Sequence, residues 1–98
     1  MDLPVVCSLT NAELQARRKG ALQAASRMII EEQELEDGFA YQFPSDYLTA
    51  LAEIVHDERQ CCRFLTFQIT ADPNNGPVWL KITGPAGSKQ FLSSLFKM

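Results

Sequence analysis

Residues 65–83 change character at nearly every position. Leu65, Phe67 and Ile69 interleave with Thr66, Gln68 and Thr70; Val78, Leu80 and Ile82 interleave with Trp79, Lys81 and Thr83. A period of two is that of a strand with one buried face. Asp72-Pro73-Asn74-Asn75-Gly76-Pro77 separates the two runs and reads as a loop, and Gly84-Pro85 breaks the second run. Two such strands need something to cover their shared apolar face.

A second hairpin is expected from Ile29 to Phe43, turning at Glu36-Asp37-Gly38. A three-residue loop with Gly38 left-handed would set Leu35 opposite Phe39, and Phe39, Tyr41 and Phe43 on one face. A two-residue Asp37-Gly38 loop would set Leu35 opposite Ala40 and the aromatics opposite glutamates, so the three-residue loop is preferred. Five acids fall within positions 31–37. That density suggests an exposed sheet edge protected by charge.

Three helices complete the pattern. Thr10-Asn11-Ala12-Glu13 is a capping box, and Leu14, Ala21, Leu22, Ala25, Met28 and Ile29 line one face behind it. Arg17, Arg18 and Lys19 read as its solvated side. Ser45 is the expected N-cap of a second helix running to about Arg63, with Asp46 favourable at the positive end of the dipole. Phe91, Leu92, Leu95 and Phe96 form the stripe of a third helix, with Pro85 in its first turn. A short edge strand is expected over residues 3–9, its pairing limited by Pro4. The order is helix, hairpin, helix, hairpin, helix. It predicts one α+β domain over residues 1–98, an antiparallel sheet with helices packed on one face.

Composition narrows the function classes. The chain has 98 residues, enough for one core, and 46% of them are hydrophobic. No apolar run approaches the ~18–20 residues of a membrane helix. The net charge of −3 is the opposite of a nucleic-acid binder's balance. No signal peptide is visible, and three cysteines do not close a disulfide framework. Both features suit a reducing cytosol, where thiols stay reduced. A cytoplasmic protein without membrane or nucleic-acid partners is expected.

One cluster stands out. Tyr47, Leu48, Leu51, Ile54 and Val55 form the apolar stripe of the second helix. Glu58 falls near the middle of that stripe, Cys62 continues it, and Cys61 sits on its edge. His56 points away, toward Gln60 and solvent. Glu58 is thus i,i+3 to Cys61 and i,i+4 to Cys62, on one side of the helix. A carboxylate aimed inward costs several kcal/mol unless it finds a partner, a ligand or a proton. An ion pair with Arg59, Arg63 or an arginine of the first helix is the simplest outcome. For Cys61 and Cys62 the first reading is packing at a helix-to-strand junction. The second is binding of a soft metal or metalloid, with Cys7 as third thiolate. The third is redox or nucleophilic chemistry, which the negative end of the helix dipole opposes.

Weaker signals lie elsewhere. Gly84-Pro85-Ala86-Gly87-Ser88-Lys89 follows a strand and precedes a helix, but lacks the spacing of a phosphate loop. A general anion site there is a minor alternative. Trp79 falls on the sheet face opposite the core residues, and marks an apolar patch suited to dimer contact if no helix covers it.

At Glu58-Arg59-Gln60-Cys61-Cys62-Arg63-Phe64-Leu65-Thr66-Phe67 the chain resembles a group of small bacterial proteins that carry Glu-Arg-x-Cys-Cys-x-Phe-Leu-x-Phe. A segment like Ile82-Thr83-Gly84-Pro85-x-Gly87-x-Lys89-x-Phe91-Leu92 follows in that group. The segments Cys7-x-Leu9-Thr10-x-x-Glu13 and Asp37-Gly38-Phe39-x-Tyr41-x-Phe43-Pro44 are also similar. The group has Pro where Arg63 stands here. The resemblance implies a bacterial cytosolic protein and supplies no reaction. Three functional readings follow, in order. The first is a non-catalytic domain that self-associates as a homodimer or larger homo-oligomer. The second is a soft-metal or metalloid binder using Cys61, Cys62 and Cys7 near Glu58. The third is a small enzyme with Glu58 as base and Cys61 or Cys62 as nucleophile. No cofactor is otherwise implied.

Overall fold

The computed structural model describes residues 12–96. The expected strand over residues 3–9, the capping residue Thr10 and Cys7 lie outside them. In chain order the elements are α1 (Ala12–Ser26), β1 (Glu31–Leu35), β2 (Gly38–Phe43), a 3-10 turn (Ser45–Tyr47), α2 (Leu48–Cys61), β3 (Thr66–Ala71), β4 (Val78–Thr83) and α3 (Ser88–Phe96). The fold is α+β: one antiparallel sheet in the order β1-β2-β4-β3, with the helices packed against it.

The period-two pattern decides which face the helices cover. Across the sheet, Phe39, Ile82 and Phe67 share one row, and Tyr41, Leu80 and Ile69 the next. Tyr41, Phe43, Val78, Leu80 and Ile82 are all buried on this side. α2 packs against β3, α3 against β2, and α1 against both helices. Leu22, Leu51, Ile54 and Leu92 supply the helical half of the core. Each such fully buried side chain is worth about 1.5–3 kcal/mol relative to exposure. Phe43 stacks on Tyr47 at 5.5 Å, and Phe64 meets Phe91 edge-on at 5.2 Å. The first pair ties β2 to the 3-10 turn before α2, and the second ties the turn between α2 and β3 to α3.

The second face carries the alternate residues. Gln42, Trp79 and Thr70 form one row, and Ala40, Lys81 and Gln68 the next. Trp79 is half-buried there, while Lys81, Gln68 and Thr70 are exposed.

Several local expectations give way. The first hairpin turns on Glu36-Asp37, pairing Leu35 with Gly38, Glu34 with Phe39 and Glu32 with Tyr41. Neither the three-residue loop nor the Asp37-Gly38 loop forms. Gly38 is not left-handed; among the described glycines only Gly87 has a positive φ, at 96°. Its reason is close approach, because a Cβ at position 38 would collide with the backbone carbonyl of Ile82. The Gly84 amide donates to the Asp37 carbonyl at 3.0 Å, anchoring the turn to the end of β4. A contact distant in sequence thus sets the register.

Ser45 does not cap α2. It lies inside the 3-10 turn, where the Tyr47 amide donates to the Pro44 carbonyl at 3.0 Å. Pro85 precedes α3 by three residues, in a turn closed by the Ser88 amide donating to the Pro85 carbonyl. Gly87 supplies the positive φ that turn requires. Met28 and Ile29 fall beyond the end of α1, and Met28 is exposed. By contrast, the loop of residues 72–77 forms as expected. Asn74 and Asn75 have φ of 60° and 54°, and the Gly76 amide donates to the Pro73 carbonyl at 3.1 Å. That is a tight turn of the type asparagine accommodates best after glycine.

Candidate functional site

α2 ends where the expected cluster lies. Its last helical residue is Cys61, and Cys62 is the C-cap, its amide donating to the Glu58 carbonyl at 2.6 Å. The expected end near Arg63 is therefore two residues too late. The Leu65 amide then donates to the Cys62 carbonyl at 3.2 Å, turning the chain into β3.

Within the helix the angular arithmetic holds. Leu51, Ile54, Glu58 and Cys61 are the buried residues of α2. Leu48 is the exception, 39% exposed. The buried arc leans toward Ile54 and Cys61, which leaves Leu48 on the far flank. Glu58 is 2% exposed, and Cys61 and Cys62 are fully buried. The Cys62 thiol donates to Glu58 Oε1 across 3.7 Å, the i,i+4 contact expected from helical spacing. An acid and two sulfurs are thus turned inward together.

The surrounding candidates separate from this pair. His56 is exposed, 3.3 Å from the Gln60 amide nitrogen, which also donates to the His56 carbonyl at 3.1 Å. Arg59 and Arg63 are exposed as well. The side chains of Arg17 and Arg18, and Cys7, lie outside the described set. Cys61 is disulfide-bonded, which corrects the expectation that the cysteines stay reduced. Its sulfur is no thiolate ligand or nucleophile in that state. Among the described residues, no group of three His, Cys, Asp or Glu side chains is placed to hold a metal ion.

A cleft of about 940 Å³ lies elsewhere, between the first hairpin turn and the start of α3. Its walls include Glu34, Glu36, Asp37, Phe39, Gly84, Gly87 and Lys89. This is where the expected anion site would sit. Lys89 instead pairs with Glu34 at 2.6 Å, and its ammonium rests 5.8 Å from the Phe39 ring centre. That pairing holds the Glu34 carboxyl below its ordinary value, first through the hydrogen bond and then through the charge. Three carboxylates beside one already paired lysine repel a phosphate or carboxylate ligand. Sequence reasoning missed this cleft because residues 34–39 and 84–90 are distant in the chain and are brought together by the β2–β4 pairing. Neither this cleft nor two smaller ones along α2 includes Glu58, Cys61 or Cys62 in its lining.

Two tyrosines of the core are also perturbed. Burial, then the Glu32 carboxylate beside it, pushes the Tyr41 phenol well above its ordinary value. Burial alone raises Tyr47.

Compared with known proteins, this chain matches no family model, no curated protein and no solved structure.

Proposed function

We propose that this chain is a small non-catalytic α+β domain that works by associating with copies of itself. The observation that carries the reading is the contrast between a closed cluster and an open sheet. Glu58, Cys61 and Cys62 are buried to within 2% and line none of the clefts described above, which supports a packing role for them. The sheet's second face, by contrast, carries half-buried Trp79 among exposed polar neighbours. An aromatic flanked by polar side chains is the composition of a protein contact surface.

Sedimentation velocity over a range of concentrations tests the association. A concentration-dependent shift to a dimer or larger homo-oligomer is expected, and a strict monomer up to several hundred micromolar overturns the reading. Alkylation kinetics test the non-catalytic part. Cys62 should react with iodoacetamide only on unfolding, so rapid modification in the native protein would argue for an accessible, working thiol.

A further inference from the structure

Resting on the self-association reading, we propose that the interface is the outer edge of β3, paired antiparallel with β3 of a second copy to make one continuous eight-stranded sheet. Among the described residues, β3 has a strand partner on one side only, β4. An edge strand offers a row of backbone donors and acceptors that only another strand satisfies in register. Residues 66–71 (Thr-Phe-Gln-Ile-Thr-Ala) carry no charge and no proline, the two devices that usually keep a strand from adding there. Phe67 and Ile69 sit in the rows of Ile82 and Leu80, yet they are only half-buried while those two are 1% exposed. The helical cover stops short of this edge.

The pattern is self-complementary about Gln68. Centring a two-fold axis there sets Gln68 against Gln68, Phe67 against Ile69 and Thr66 against Thr70. Aromatic with β-branched and Thr with Thr are favourable cross-strand pairs. A two-fold contact of this kind closes on itself and stops at two copies.

Gln68 is exposed and level with Lys81 on the face away from the core, so Gln68→Glu gains an opposite charge across the strand pair and Gln68→Lys a like one, which urea unfolding of each variant controls for. The dimer dissociation constant is read by sedimentation for the full chain, for Gln68→Lys, for Gln68→Glu, for their equimolar mixture and for Trp79→Ser. Each charge variant alone should weaken the dimer by up to ~5-fold, because like charges then face each other at the axis. The mixture should recover it, as Lys faces Glu. Charge variants that dimerise as the parent does, with Trp79→Ser alone dissociating, would overturn the edge pairing while leaving self-association intact. A parent chain that never dimerises would overturn both.

Discussion

β1 and β3 flank the same two central strands, and each leaves one row of backbone groups without a strand partner among the described residues. β1 carries Glu31, Glu32 and Glu34; β3 carries no ionisable residue. The register places Glu32 and Glu34 on the helix-covered face, level with Tyr41 and Phe39. A strand adding outside β1 would have to crowd against those carboxylates, of which Glu34 is already held by Lys89, and charge of this kind disfavours edge pairing. A strand adding outside β3 would meet Thr66, Gln68 and Thr70 on one side and half-buried Phe67 and Ile69 on the other. The difference teaches that charge guards one edge of the described sheet and not the other.

The comparison can be broken from the centre of the sheet. Gly38→Ala forces a methyl group into the Ile82 carbonyl and pushes β2 off β4, taking the charged edge with it. A loss of about 3 kcal/mol or more in urea unfolding is expected. The control Gly20→Ala, with nothing within 4 Å of its new Cβ, should gain about 0.5–1 kcal/mol instead.

A smaller effect comes from Tyr41, where β1 meets the core. Its folded value lies above the ordinary phenol value near 10, so the folded state holds its proton after the unfolded chain has released it. The contribution is complete below about pH 10 and is lost as pH rises beyond it. Chemical unfolding between pH 8 and 11 should show stability falling on the alkaline side. Glu32→Gln removes the lesser cause of the shift, so the folded protein's Tyr41 should ionise at a lower pH in a spectrophotometric titration; an unchanged titration would deny the Glu32–Tyr41 coupling.

The smallest effect on stability, a few tenths of a kcal/mol per pair, comes from discharging the edge itself. The double substitution Glu32→Thr, Glu34→Thr makes β1 resemble β3. Light scattering should then detect species larger than the parent forms, because both edges are open to added strands. If the double variant sediments as the parent does, charge is not what closes β1.

How much of this was legible beforehand depends on the distance over which each feature is decided. The inward turn of Glu58, Cys61 and Cys62 follows from local geometry, since the last turn of a helix and its C-cap hold nearly fixed angles to one another. The strands β3 and β4 and their asparagine turn are local for the same reason. The first hairpin was misread because its register answers to β4: Asp37 to the Gly84 amide, Gly38 to the Ile82 carbonyl. No residue between 29 and 43 carries that information.

Residue order alone thus settled the element types, the apolar faces and the placement of the acid beside the sulfurs, because each rests on a short-range backbone period. Packing of distant segments settled the rest: which glycine contact set the hairpin, which sheet edge is charged on its inner face, and how deeply the Glu58 cluster is buried. Those outcomes depend on non-bonded contacts across tens of residues, and local pattern is blind to them.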